Sequence, residues 1–297
     1  NIDEEERDSG SLVELNNELK DKEVLKSKIL NILSELKKEE DTSINSTDRD
    51  CSNVKGRQGT HAGYNGQIVV DEKHGLIVSS DVSNDNNDRN QFANQIDQAN
   101  TVLDKKCTNA CADAGYANTE DLHKVDQQGI TVIVPTQKQA SNAEIKQFDK
   151  EQFKYDLHND CYICPEGQTL VRGTIDQQKK RIIYEITDVQ ICLSCKQHGI
   201  CTNAKHGRRI RRLFNENTKI KLEQQYQKAE SQAIYKLRKE KVEHPFGHLK
   251  NNLGVQAFLL RGLDGVKAEM ALLATCFNIS RMITLLGMSN FMEKVGT

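Results

Sequence analysis

The sequence predicts an α/β protein with a small cysteine-rich insertion and a helical C-terminus. Three observations carry this expectation. Two apolar runs, Ile68–Val70 and Leu76–Val78, flank a polar turn ending at Gly75, the pattern of a β-hairpin. A strand–helix–strand pattern follows between Cys107 and Pro135. Two CxxC pairs, Cys161/Cys164 and Cys192/Cys195, then break the alternation before helical periodicity takes over.

Residues 12–39 read as a helix in which Leu25, Ile29, Ile32 and Leu36 form one apolar seam. Asp41–Ser46 is a polar loop. Asp48 and Asp50 follow; on a strand both side chains share a face, and in a turn rich in Ser, Asn and Asp they serve the local backbone. After the hairpin over Tyr64–Ser80, Gln91–Leu103 has helical spacing. Cys107–Ala112 reads as a short strand leading into Asp113. Asn118 or Thr119 caps a helix over Glu120–Gln127, and Ile130–Pro135 is a buried strand. This places Asp113 at the C-terminal end of a strand that opens a β-α-β unit, where open α/β sheets bind ligands.

Thr169–Arg172 and Arg181–Ile186 are β-like segments between the cysteine pairs, and Cys201 follows five residues after Cys195. The spacing resembles a zinc ribbon, with five thiols for four places and His198 nearby. Asn215–Val242 reads as one long helix with Leu222, Tyr226, Ala229, Ala233 and Leu237 on one face, and Pro245 is expected to kink or interrupt it. Val266–Leu286 is apolar but contains Lys267, Glu269, Asn278 and Arg281, so it reads as a buried helix. The domain divisions expected are 1–43 helical, 44–136 α/β, 137–215 cysteine-rich and 216–297 helical.

Charge is near balance but uneven. Residues 1–50 hold 15 acids against 8 Lys and Arg, whereas residues 205–250 hold 13 Lys and Arg against 5 acids. A basic block beside a carboxylate site suits a polyanionic substrate; alternatively it is a solvated helix face. Neither a secretory signal nor a transmembrane helix is read in the sequence, so nine cysteines point to an intracellular setting and to metal rather than disulfides. The chain begins with Asn rather than Met, as a piece of a longer protein would.

The chemistry-bearing pattern is three acids in the order Asp48 or Asp50, Asp113 and Glu243, the last on a helix with Lys250 two turns further on. Such a trio suits two magnesium ions that clamp the attacking and leaving oxygens of a phosphodiester.

Taken together, TDRD (47–50), residues 64–89, ADAGY (112–116), the Cys-Pro–CxxC–Cys segment, VEHPFGHLK (242–250) and residues 261–281 resemble the DDE transposases of bacterial insertion sequences. The resemblance implies an RNase H-like mixed sheet flanked by helices, with catalytic acids Asp48, Asp113 and Glu243 holding two Mg2+ or Mn2+ ions. It assigns DNA-binding roles to Tyr235, Arg238 and Lys250 of a Tyr–Arg–Glu–Lys signature, with Arg238 and Lys250 holding phosphates. It also selects Cys164, Cys192, Cys195 and Cys201 as zinc ligands and leaves Cys161 spare. The implied partners are DNA, as element ends and target, and further copies of the chain, with no membrane; the implied location is the cytoplasm, at the nucleoid. Four departures stand out. Arg49 occupies a position where the family often has Pro. The stretch Cys107–Cys111 replaces a more apolar strand. The interval from Arg238 to Glu243 is one residue longer than the commonest form. Almost nothing precedes residue 12, where the family usually has a helical DNA-binding region. A truncated, inactive DNA-binding remnant and a nuclease with the same core are the alternatives.

Overall fold

A computed structural model describes residues 22–39, 44–45, 47–56 and 59–296. The chain divides into two units. One comprises Asn1–Gly66, Val82–Asn86 and Gln256–Leu272; the other comprises Gln67–Asp81, Asn87–Val255 and Leu273–Thr297. The architecture is mixed α/β.

In the first unit, helix α1 spans Lys22–Glu39, and residues 12–21 of the expected helix lie outside the described residues. Leu25, Ile32 and Leu36 of the expected seam are half-buried, but Ile29 is exposed. Strands β1 (Ser52–Gly56) and β2 (Gly59–Gly63) form an antiparallel hairpin. Asp48 and Asp50 precede β1 in a turn rather than on a strand. The reason is local: Asn45 Oδ1 accepts the N–H groups of Thr47 and Asp48, and Asp48 Oδ1 accepts that of Asp50. Such side-chain acceptors compete with the extended backbone.

Strands β3 (Asn65–Val70) and β4 (Ile77–Ser83) pair as the expected hairpin. Asp71 makes the turn, its carboxylate accepting the N–H groups of His74 at 2.8 Å and Leu76 at 2.7 Å, and Gly75 takes φ +68°.

The second unit contains helix α2 (Phe92–Leu103), then strand β5 (Asn109–Cys111), helix α3 (Thr119–Gln127) and strand β6 (Thr131–Ile133). β5 and β6 pair in parallel, so the β-α-β unit forms as the pattern required. Asn118 is the cap of α3, its side chain accepting the Glu120 N–H at 3.0 Å. Phe92, Ile96, Ala110, Leu122, Val125 and Val132 meet in one core.

After the short helix α4 (Gln137–Ala140), the strands β7 (Lys154–Asp156), β8 (Cys161–Ile163), β9 (Thr169–Asp176), β10 (Arg181–Ile186) and β11 (Arg209–Leu213) form a five-stranded sheet. Its order is β11-β10-β9-β8-β7, with every neighbouring pair antiparallel. Tyr162, Leu170, Tyr184 and Ile210 fill its core. Helix α5 (Val189–Leu193) lies between β10 and β11 in sequence.

The expected long helix is divided. α6 covers Glu216–Gln227 and α7 covers Ala229–Asn251, and Lys228 between them is extended at φ −64°, ψ 141°. Of the expected kink or interruption at Pro245, the interruption does not occur, since α7 continues through it. It is buried, and the residues around it are held by packing: Leu249 enters a core with Ile77 and Phe277, and the rings of His244 and His248 lie 5.7 and 5.4 Å from that of Phe277. Packing on both sides sustains a helix across the hydrogen bond that proline deletes.

Helices α8 (Leu263–Leu286) and α9 (Met288–Val295) end the chain. α8 is long and apolar enough to cross a membrane. It is not buried all round as expected. One stripe, Val266, Met270, Ala274 and Phe277, is enclosed by protein, whereas Leu272 is 64% exposed. Within the second unit, Asn278 matches the main chain of Ile77 in both directions, accepting its N–H at 2.8 Å and donating to its carbonyl at 2.7 Å.

Candidate functional site

Asp113 stands two residues beyond the end of β5. Its Oδ1 accepts the Gly115 N–H at 2.8 Å and so caps the 3-10 turn Ala114–Tyr116. A three-residue strand followed by an Asx-type cap aims the carboxylate out of the sheet, and its side chain remains 45% exposed. Arg238 of α7 places a guanidinium nitrogen 3.7 Å from Asp113 Oδ2, and its own side chain is only 18% exposed. The guanidinium lies 5.5 Å from the Tyr235 ring centroid, and that ring meets Tyr226 edge-on at 5.2 Å. The Arg238 Nε is enclosed and has no hydrogen-bond partner. Tyr235, Arg238 and Asp113 are thus brought together. Beside them burial pushes the Cys111 thiol up to about 12, with Arg238 opposing and Asp113 and Glu72 adding to the rise.

A residue that sequence reasoning missed joins this corner. Asp88 Oδ1 accepts the Gln67 side-chain N–H at 2.8 Å, and Gln67 Oε1 accepts the Tyr116 hydroxyl. Gln67 is only 1% exposed. The contacts join residues 21 and 49 positions apart, which no local pattern signals.

Glu243 and Lys250 are exposed on α7, the former five residues beyond Arg238. The basic block around them is partly internal. Arg208 donates to the carbonyls of Cys201 and Phe148, and Arg212 lies 3.8 Å over the Tyr155 ring while donating to Tyr162 and Asn217. Lys221 pairs with Asp126 at 2.7 Å. Lys236 and Lys239 are exposed.

Asp48, in the first unit, is held differently. It accepts the Tyr64 hydroxyl at 2.7 Å, the Gly262 N–H at 3.3 Å and the Asp50 N–H at 3.3 Å. Partial burial works against its charged form, but these donors and Arg261 outweigh it and hold the carboxyl below the ordinary aspartate range. Asp50 Oδ2 accepts the Leu263 N–H at 2.9 Å, at the first residue of α8.

In the insertion, Cys164, Cys192, Cys195, Cys201 and His198 line one cavity of about 40 Å³. Cys161, buried on β8, is not among its lining residues. The Gln168 N–H points to the Cys164 sulfur at 3.3 Å and the Gln197 N–H to the Cys195 sulfur at 3.4 Å. His198 Nε2 is buried with no hydrogen-bond partner. Burial raises the Cys201 thiol; Arg208 opposes, and the other three cysteines add to the rise. All nine cysteines are free thiols. Among the described residues no three His, Cys, Asp or Glu side chains are grouped to hold a metal ion as they stand.

An exposed carboxylate against a largely buried guanidinium is a place for hard cations and phosphate oxygens. Residues 163–283 match the family model for the transposase DDE domain. Over that stretch the chain is similar to the transposase DDE domain. The matched stretch contains Tyr235, Arg238, Glu243, Lys250 and the four cavity cysteines, and Asp48 and Asp113 precede it. No curated protein and no solved structure matches the chain.

Proposed function

We propose that the chain is a metal-dependent transposase that cleaves DNA strands and transfers them, with an RNase H-like core and with Asp48, Asp113 and Glu243 as its catalytic acids. The observation that carries this reading is the approach of Arg238, inside the matched stretch, to Asp113, outside it. Two motifs 125 residues apart in sequence thereby supply one acid and one phosphate-binding cation to the same corner. Magnesium fits that donor set, since it takes one or two protein carboxylates and keeps water for its remaining places. When bound, it activates the attacking oxygen and stabilises the leaving one. Asp113 supplies carboxylate oxygen, and Arg238 and Lys250 hold phosphate oxygens of the DNA backbone, as element ends or target, with copies of the chain assembled on the DNA. A nuclease of the same core would cleave without joining, and an inactive remnant would bind without cleaving.

The test is a Mg2+- or Mn2+-dependent assay on end-containing DNA. The parent should nick and join, and Asp113→Asn should abolish both while retaining DNA binding within about threefold, because it removes a metal-binding acid and no cation. Binding without cleavage by the parent would establish the remnant, and cleavage without joining the nuclease.

The insertion is read as a zinc-binding element held by Cys164, Cys192, Cys195 and Cys201. Supporting this are the shared cavity, the two N–H groups aimed at sulfur and the partnerless His198 nitrogen in the same lining. Binding would draw the donors together and add its free energy to the folding of the sheet. Metal analysis should give one zinc per chain and a chelator should lower the melting temperature. Metal-free protein with all five insertion thiols freely titrating would overturn it.

A further inference from the structure

Arg208 immediately precedes β11, and the fold presses its segment onto the cysteines of the insertion. A Cβ on Gly207, which has φ +70°, would stand 2.9 Å from the Cys192 Cβ and 3.1 Å from its sulfur, so the main chain passes directly over that residue. One residue on, Arg208 donates from one terminal nitrogen to the Cys201 carbonyl at 3.2 Å and from the other to the Phe148 carbonyl at 2.7 Å. Its side chain lines the cavity shared by Cys164, Cys192, Cys195 and Cys201. The guanidinium carbon lies 5.3 Å from the ring centroid of Phe153, which is buried.

The cation is held there without an anion. Its neighbour Arg209 finds Glu185 at 2.7 Å across the β10–β11 pair. The terminal nitrogens of Arg208 go instead to neutral carbonyls, and its Nε is enclosed with no hydrogen-bond partner. Withdrawing a charged group from water is costly unless an opposite charge and hydrogen bonds compensate it. Glu166, the one acid among the described lining residues, is exposed, which leaves the sulfurs as the enclosed groups able to carry negative charge. Thiols that bind a metal give up their protons, and four thiolates on one Zn2+ leave two excess negative charges. A guanidinium in the same cavity offsets one of them. Its unused N–H is a donor for sulfur, as the main-chain N–H groups of Gln168 and Gln197 already are.

We propose that Arg208 is the counter-cation of the insertion's metal–thiolate site, a positioning residue that binds no metal itself, offsets thiolate charge and gives its free Nε–H to a cysteine sulfur of the loaded site. The inference rests on the reading of the four cysteines as zinc ligands.

The experiment measures Zn2+ affinity of the full chain by competition with a chromophoric chelator, for the parent, Arg208→Gln, Arg208→Lys and Cys201→Ser. Arg208→Gln should weaken Zn2+ by about tenfold, and Arg208→Lys, which keeps the charge, by no more than about threefold. The melting temperature of Arg208→Gln should fall more with zinc than with excess chelator, because the cation has its anion only in the loaded site. An equal fall in both shows a purely structural role and overturns the inference. Equal weakening by Arg208→Gln and Arg208→Lys shows that shape rather than charge matters and also overturns it. In the parent, the Arg208 Nε–H resonance, assigned by its loss in Arg208→Lys, should shift on zinc addition. That shift decides the matter if Arg208→Gln does not fold, and an unmoved resonance overturns the inference. Unchanged affinity in Arg208→Gln beside weakened affinity in Cys201→Ser overturns this inference alone. Unchanged affinity in Cys201→Ser, or a parent that binds no Zn2+, overturns the zinc reading as well.

Discussion

Asp48 accepts from the Tyr64 hydroxyl and from two main-chain N–H groups, whereas Asp113 takes one main-chain N–H and otherwise faces Arg238. The first carboxylate is held by donors of its own unit. The second is nearly half exposed and opposed by a cation whose Nε has no partner. The same residue type in two short motifs is therefore held differently: Asp48 links segments over 200 residues apart, and Asp113 is presented outward. Hydrogen bonds to a charged acceptor contribute about 1.5–3 kcal/mol, so the two acids should separate when stability is measured, while the proposed function needs both for cleavage.

The largest stability effect expected is that of Asp48→Ala, about 2–3 kcal/mol, because the Tyr64 hydroxyl and the Gly262 N–H lose a charged acceptor. Amide hydrogen exchange at Gly262 should accelerate accordingly, and an unchanged rate would remove the structural half of the comparison. The pH dependence has a definite sign. The Asp48 pKa is lowered by folding, so its stabilisation is present above the ordinary aspartate value of 3.8 and is lost as pH falls through the folded value. Acid unfolding followed by exchange at Gly262 should show that loss in the parent and not in Asp48→Asn.

Gly115→Ala comes next, at about 1–2 kcal/mol, since a Cβ there meets two carboxylate oxygens within 3.0 Å. Urea unfolding gives the magnitude. The Asp113 side should feel it in activity too, and wild-type cleavage by this variant would show that the corner relaxes freely. The smallest effect is that of Tyr64→Phe, about 1 kcal/mol, as one of the Asp48 donors disappears while the others remain. A Tyr64→Phe loss equal to that of Asp48→Ala would mean that the hydroxyl alone holds the turn.

Much of the second unit was legible in the sequence. The hairpin turn follows from Asp71 and Gly75, the α3 cap from Asn118, and the parallel pairing of β5 with β6 from the strand–helix–strand pattern. What was not legible depends on distant contacts. No glycine or proline marks the break at Lys228, while the proline that was visible, Pro245, is overridden by the packing of Leu249, His244 and His248. The Asp48 segment reads equally well as strand or turn until the Tyr64 and Gly262 donors are in place. Asp88 has no motif at all; Gln67 and Gly115, far from it in sequence, give it its position. The thiols of the insertion gave their spacing but not their shared cavity, which excludes Cys161 from its lining.

Because α7 runs unbroken past Pro245, residue count along it becomes angular phase. Each residue turns an α-helix by about 100° and advances it about 1.5 Å. Glu243 and Lys250, seven residues apart, are therefore nearly in phase. Glu243 is five residues from Arg238, which puts it about 140° out of phase with the side chain that meets Asp113. The shorter Arg-to-Glu interval common in the resembling family would place the acid at position 242, only about 40° away. The one extra residue thus acts as a rotation: for Glu243 to serve the Asp113 corner, α7 must turn about its own axis or the carboxylate must reach around the helix.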